Sequence, residues 1–206
     1  MQYKTLTEDQ YNQELIAIIK ATEDQKESLY ADGDNGEGLL TIGWGFNIET
    51  NSVLKSVLIK GLKVTSVESG TGGILYAKIQ TIIKDSSLNK TQQITQINEA
   101  WSTYKGETGL TLSLTEDQMK AVFLDIKDEY ENKIDGFQEG IPDSYERVAL
   151  FSLAYNQDDN DPLLGNGLGG SFDVDSRVQA WFEIAYLSNG GAHAEGQAKR
   201  RMVEAC

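Results

Sequence analysis

The chain has 206 residues and 39% hydrophobic content, which is enough to bury the core of one sizeable domain or two small lobes and excludes a disordered chain. Its formal net charge of −14 repels phosphates, which argues against direct binding of nucleic acid. No apolar run approaches the roughly 18 residues of a membrane span, and a single cysteine, Cys206, excludes an internal disulfide and a paired-cysteine zinc site.

Two copies of the pentapeptide LTEDQ predict helix starts. They occupy residues 6–10 and 114–118, and their Thr-x-x-Gln spacing is that of a capping box, in which both side chains bond to early backbone N–H groups. After the first copy, apolar residues at spacings of three and four predict a helix over residues 8–20. The sequences that follow the two copies do not match, so the copies are independent caps rather than a duplicated domain.

The next segments predict a hairpin and then a long helical stretch. LLTIGWGFNI, residues 39–48, mixes β-branched and aromatic residues with glycines, which is typical of a short, bent antiparallel hairpin. The acidic, Gly-rich residues 32–38 connect this hairpin to the first helix. Residues 52–104 have a helical pattern that is broken at SVESGTGG and at KDSSLNK.

The second half of the chain is predicted to be helical. MKAVFLDIKDEYENKI, after the second cap, is amphipathic and long enough to link two lobes. DSYERVALFSLAYN is apolar nearly all round, which predicts a helix at the centre of the carboxy-terminal core. A surface loop, QDDNDPLLGNGLGG, separates it from two further predicted helices, DVDSRVQAWFEIAYLS and GQAKRRMVEA.

The acidic stretch DGDNGEG does not have the spacing of a calcium loop. With Asp32 as the first ligand of an EF-hand, Glu37 occupies the position of the sharp-turn glycine and Gly43 that of the bidentate glutamate. The single histidine, His193, has no second histidine for a metal pair and no serine or cysteine context. No metal site is predicted, and His193 is interpreted as a loop residue.

Acid–base chemistry on a glycosidic bond suits the acidic stretch better. It needs one carboxylic acid kept protonated and a second carboxylate kept ionised. Glu23 follows the apolar first helix, where partial burial favours the protonated acid. Asp32 lies in a polar Gly-rich turn, where water and backbone N–H groups favour the ionised form, and Thr41 can place a hydroxyl in the same site.

The motifs of this region resemble those of a known family. Glu23, Tyr30 and Asp32 form the pattern E-x6-Y-x-D, which is followed by TIGWG from Thr41, and together they resemble the catalytic segment of the phage-type lysozymes. LTEDQMKAVFLDIKDEYENKI is similar to the helix that joins the two lobes of these enzymes, and RVALFSLAYN to their central buried helix. A late G-x3-R-R-x2-E pattern, with Arg200 and Arg201, resembles their last helix. The matches cover about half of the chain in the right order.

The resemblance implies an α+β, mostly α-helical fold with two lobes in a single lysozyme-like domain, residues 1–206. Residues 23–113 would form an amino-terminal lobe with a small β-hairpin sheet and an extended helical insertion. Residues 114–134 would form the linking helix, and residues 135–206, together with the helix 8–20, the helical carboxy-terminal lobe.

The resemblance also implies roles for individual residues. Glu23 would be the general acid, Asp32 the base and Thr41 the residue that helps to place water. The sugar-binding candidates are Tyr155, Asn156, Phe46 and Asn47. For Phe46 and its neighbour Trp44 a core position is the alternative, since aromatic residues in apolar strands are typically buried. Arg200 and Arg201 of the late helix are interpreted as structural partners for acids, and the resemblance implies that one of them could pair with Glu23.

Three features depart from the family. Nine positions separate Asp32 from Thr41 where the family commonly has six, so Asp34 is an alternative to Asp32 as the base. Phe46 stands where many members have a histidine that supports the amino-terminal lobe. The segment 52–113 is longer than its counterpart, and the net charge of −14 contrasts with the often basic wall-lytic members.

The predicted function is hydrolysis of the β-1,4 bond between N-acetylmuramic acid and N-acetylglucosamine in peptidoglycan, by inversion and without a cofactor. The expected partner is bacterial peptidoglycan, with no nucleic acid and no stable membrane insertion, for a monomer or a component of a particle or secretion machine. The first ten residues lack a secretory signal pattern. The protein is therefore expected to be made in the host cytoplasm and to reach the wall after release or delivery.

Two other classes of function remain as alternatives. One is a non-catalytic, glycan-binding or structural lysozyme-like module of a phage particle or secretion apparatus, which would bind saccharide without turnover. The other is an acidic decoy that mimics nucleic acid, which would bind DNA-binding proteins. The presence of all three polar residues, Glu23, Asp32 and Thr41, favours the enzyme.

Overall fold

The computed structural model describes residues 3–23, 25–33, 38–137 and 139–155. In this part of the chain, six α-helices and a small antiparallel sheet confirm the prediction of an α+β, mostly α-helical fold. The helices are α1 Glu8–Thr22, α2 Asn51–Ser56, α3 Gly70–Lys84, α4 Lys90–Lys105, α5 Glu116–Phe137 and α6 Tyr145–Tyr155, and a π-helical turn, Val57–Gly61, follows α2. The strands are β1 Lys26–Ala31, β2 Leu40–Gly43 and β3 Phe46–Asn47, in the order β1-β2-β3.

The chain divides into two compact units. One unit contains the described residues up to Thr22 and those from Lys127 onward, and the other contains those from Glu23 to Ile126. The first unit therefore holds α1, α6 and the end of α5, while the second holds the sheet, α2, α3, α4 and the start of α5.

Both predicted capping boxes are confirmed. The Thr7 N–H donates to Gln10 Oε1 at 3.0 Å and the Gln10 N–H donates to Thr7 Oγ1 at 3.3 Å, so α1 starts as the sequence predicts. The same reciprocal pair, at 2.7 and 3.4 Å, joins Thr115 and Gln118 before α5. A third box, between Asn89 and Gln92, starts α4 within the predicted break KDSSLNK.

Three local predictions need correction. The first helix ends at Thr22 rather than at residue 20, because the Thr22 hydroxyl donates to the Ile18 carbonyl at 2.8 Å and extends the helical bonding. The glycines of GTGG, interpreted as a break, form the first turn of α3, where a Cβ on Gly72 would lie 2.1 Å from the Ser66 carbonyl oxygen. Strand β1 was not predicted, although the hairpin of β2 and β3 was, and that hairpin is confirmed.

Helix α6 is buried along most of its length, as its apolar sequence predicts. It carries Arg147, which is only 7% exposed and lies in a cluster of charged side chains. Arg147 donates from Nε to Glu131 Oε2 at 2.7 Å and contacts Asp135 Oδ1 through Nη1 at 2.8 Å. The Tyr11 hydroxyl donates to the other oxygen of Glu131, also at 2.7 Å, so the cluster joins α1, α5 and α6 within the first unit.

Burial, together with the neighbouring Glu131 carboxylate, raises the pKa of Tyr11 above its ordinary value. A group whose folded-state pKa is raised contributes stability that is complete below its unfolded pKa, near 10, and is lost as the pH rises above that value. Tyr11→Phe is expected to lower the free energy of unfolding by about 1–3 kcal/mol at pH 8, since Glu131 loses a buried donor. Above pH 10 the difference in unfolding free energy between the wild type and Tyr11→Phe should narrow. Urea unfolding at pH 8 and above pH 10 would measure this difference. A difference that does not change with pH would contradict the linkage.

Candidate functional site

Glu23 lies in the bend between α1 and β1 and is half-buried. Its carboxylate lies beside Gly45, in the turn that joins β2 to β3. A Cβ built on Gly45 would be 3.0 Å from Glu23 Oε2 and 3.3 Å from its Cδ. Gly45 also has a φ of +87°, a left-handed conformation that side chains rarely adopt. Glycine is therefore required here both for the turn and for the approach of the carboxylate.

Asp32 is exposed at the end of β1, where its Oδ1 accepts the N–H of Gly33 at 3.0 Å. Its own backbone N–H donates to the Leu39 carbonyl at 2.9 Å, which closes the connection between β1 and β2 at its base. At the same point a Cβ on Gly38 would lie 1.6 Å from the Asp32 carbonyl oxygen, so only glycine fits. Asp34, the alternative base, lies outside the described residues.

Thr41 lies in β2 and is 3% exposed. Its hydroxyl donates to the Leu39 carbonyl at 3.1 Å. That carbonyl therefore accepts hydrogen bonds from both candidate residues, the Asp32 backbone and the Thr41 side chain. Because the Thr41 proton is used in this bond, its oxygen keeps only its capacity to accept.

A β-bulge in β1 shortens this strand relative to its partner β2. Lys26 pairs with Gly43 and Ala31 pairs with Leu40, so five steps along β1 match only three along β2. At about 3.3 Å per residue, the two ends of β1 are held about 10 Å apart instead of about 17 Å. The bulge is fixed from its other side, where the Leu114 N–H donates to the Glu27 carbonyl at 2.9 Å and Ser28 bridges to Ser113.

The aromatic residues of the hairpin belong to the core of the second unit. Trp44 is 0% and Phe46 1% exposed, and their ring centroids lie 6.4 Å apart. The Phe46 ring also covers Gly43, whose Cβ would lie 2.7 Å from it. These positions favour the core interpretation over sugar contact for both residues.

The other described sugar-binding candidates belong to different units. Asn47 is half-buried, and its Oδ1 accepts the N–H of Glu49 at 2.9 Å in the turn after β3. Tyr155 is half-buried at the end of α6 in the first unit, with its ring 4.8 Å from that of Tyr130. Asn156, Arg200 and Arg201 lie outside the described residues, as do the two helices predicted after α6.

Two groups near the site were missed by sequence reasoning. The Leu39 carbonyl is a backbone group, and the residue type at a position does not indicate a role for its carbonyl. Glu49 accepts the Leu40 N–H at 2.8 Å and the Lys90 ammonium at 2.5 Å, through the same oxygen Oε1. The only signal for Glu49 was an acidic residue directly after an apolar hairpin, and nothing in the sequence connected it with Lys90.

Within residues 3–155, apart from the positions left undescribed, no three His, Cys, Asp or Glu side chains come together in a way that could hold a metal ion. Among the helices described above, none is both long and apolar enough to cross a bilayer. Comparison of the chain with protein-family models, with curated proteins and with solved structures finds no match.

Proposed function

We propose that the protein is a peptidoglycan hydrolase that cleaves the β-1,4 bond between N-acetylmuramic acid and N-acetylglucosamine. The observation that carries the proposal is the shared Leu39 carbonyl, which holds the Asp32 backbone at 2.9 Å and the Thr41 hydroxyl at 3.1 Å. The motif resemblance to the phage-type lysozymes gives these two residues and Glu23 complementary roles. The proposed site of action is the bacterial wall, reached after release or delivery.

In this proposal Glu23 is the general acid. It protonates the glycosidic oxygen as the bond from that oxygen to the anomeric carbon breaks. General acid catalysis needs the protonated carboxyl, and Glu23 presents its carboxyl from a half-buried position beside Gly45. Gly45 leaves room for the carboxyl, because it has no side chain that would displace it.

Asp32 and Thr41 act on the attacking water. A water has two protons, and two acceptors, the Asp32 carboxylate and the Thr41 oxygen, can each take one hydrogen bond from it. Its lone pair is then left to attack the anomeric carbon, while Asp32 accepts the proton that is released. An inverting enzyme needs its two carboxyl groups roughly 6.5–9.5 Å apart to leave room for this water.

Digestion of purified peptidoglycan tests the proposal. Mass spectrometry should detect fragments with muramic acid at the reducing end, and proton NMR of fresh product should show the anomer opposite to that of the substrate. Reducing-end N-acetylglucosamine would contradict the bond assignment, and retained configuration would contradict the water mechanism. Saccharide binding by the folded protein without any fragments would favour the glycan-binding module.

Gly45→Ala should reduce activity by about tenfold or more, because the new methyl group displaces the Glu23 carboxylate. The left-handed backbone adds a cost of about 1–2 kcal/mol in stability. The initial rate on peptidoglycan and the free energy of unfolding are both measured.

Gly109→Ala is the matched control for this variant. Gly109 also has a positive φ, +76°, but a Cβ there would meet no atom within 4 Å. It should therefore show the stability loss and retain the activity. An equal loss of activity in both variants would mean that backbone strain, and not the contact with Glu23, is responsible.

A further inference from the structure

One peptide unit, between Leu39 and Leu40, connects the candidate catalytic residues to the helical insertion of the second unit. Its oxygen accepts the Asp32 N–H at 2.9 Å and the Thr41 hydroxyl at 3.1 Å. Its N–H points in the opposite direction within the peptide plane and donates to Glu49 Oε1 at 2.8 Å. A shift of this peptide therefore moves both Asp32 and Thr41.

Glu49 is itself held by a lysine of α4. Lys90 Nζ lies 2.5 Å from Glu49 Oε1, and the two side chains are 22% and 23% exposed. Lys90 is the first residue of α4 and lies within the capping box of Asn89 and Gln92, so its backbone is fixed by the helix start. The Glu49 N–H is bonded in turn to Asn47 Oδ1, which fixes the backbone from which the carboxylate extends.

We propose that Glu49 and Lys90 are positioning residues that hold the Leu39–Leu40 peptide and, through it, Asp32 and Thr41. This inference rests on the proposed function, and it assigns a role to the long segment between residues 52 and 113. The ion pair of Lys90 with Glu49 thus links the start of α4 to Leu40, the first residue of β2.

The physical reason lies in the polarity of the peptide. A hydrogen bond from an N–H to a charged carboxylate is about twice as strong as one between neutral groups. Bonds on the two sides of one peptide also polarise each other, so the Leu39 oxygen becomes a better acceptor for its two donors. Without the ammonium group, the half-buried Glu49 carboxylate lacks its cation, and water competes with the Leu40 N–H for it.

The first test is Lys90→Met, measured on soluble peptidoglycan fragments of defined length. We expect kcat to fall by about tenfold with KM changed by less than about twofold, because geometry at the reacting atoms changes and sugar binding does not. Lys90→Arg, which retains the cation, should restore kcat. Glu49→Gln retains an acceptor oxygen for the Leu40 N–H but no charge. Its kcat should lie between those of Lys90→Met and Lys90→Arg.

Lys55→Met is the matched control. Lys55 pairs with Glu68 at 2.7 Å in the same unit, but these side chains are 41% and 74% exposed. The same loss of charge there should leave kcat unchanged. Circular dichroism of every variant verifies that it folds. If Lys90→Met does not fold, the kcat of Glu49→Gln tests the proposal instead.

Amide hydrogen exchange gives a readout that does not need activity. The Asp32 N–H, bonded to the Leu39 oxygen, should exchange about tenfold faster in Lys90→Met and at the wild-type rate in Lys55→Met. Unchanged exchange, or unchanged kcat, would overturn the positioning role. A wild-type protein that cleaves no peptidoglycan would overturn the proposed function instead, and exchange at Asp32 would still decide whether the ion pair holds the peptide.

Discussion

Glu23→Gln should abolish wall lysis, with a fall of about 10²- to 10⁴-fold in the initial rate. Glutamine has the same shape but cannot donate the proton that the leaving oxygen needs. The fold should be unaffected, since the side chain keeps its volume beside Gly45. Clearing of a suspension of bacterial walls measures the rate, and urea unfolding measures the stability.

Glu27→Gln is the control for this loss. Glu27 lies on β1 of the same sheet, its side chain is exposed, and the substitution changes the net charge equally. Lysis by this variant should match the wild type. Full activity of Glu23→Gln would require the acid to be another residue, and a loss shared by both variants would point to charge rather than proton transfer.

Arg147→Met should destabilise the protein by about 3–5 kcal/mol, because it leaves the Glu131 carboxylate without its buried cation. Arg147 is 9% and Glu131 14% exposed at the side chain, so little water is available to replace the guanidinium. The Ile141 carbonyl, which accepts from Nη1 at 2.9 Å, also loses its donor. Urea unfolding followed by circular dichroism measures the change.

Two further variants separate the possible causes of such a loss. Lys55→Met removes one side of an exposed pair, so it should cost less than about 1 kcal/mol. Arg147→Met combined with Glu131→Leu removes both buried charges and should recover part of the stability. A double variant as unstable as the single one would show that lost packing, and not an unpaired carboxylate, is the cause.

The sequence predicted the parts of the fold whose causes are local. The boxes at Thr7 and Thr115 depend on side chains three residues away, and the burial of α6 follows from its own apolar residues. The hairpin of β2 and β3 was also accessible, since its glycines and β-branched residues adjoin each other. In all of these the stabilising groups lie within a few positions of one another.

The parts that were missed depend on contacts between distant positions. KESLYA of β1 shows no alternation of apolar and polar residues, because its register is set by β2 and by residues 113 and 114. Phe46 was predicted either to stack on sugar or to lie in the core, and its 1% exposure in the packed hairpin favours the core position. The bond between Glu49 and Lys90 spans 41 positions and involves side chains that are ordinary surface residues in most contexts.

The closed base of the connection between β1 and β2 makes this point of the protein suitable for grafting. The Asp32 N–H, the Leu39 carbonyl and Gly38 fix where the chain leaves and rejoins the sheet, whatever the length between them. Lengthening such a connection costs only about 0.6 kcal/mol for each doubling. A binding peptide could therefore be inserted after Gly33 without changing the register of Thr41, which would add a recognition segment to an unchanged sheet.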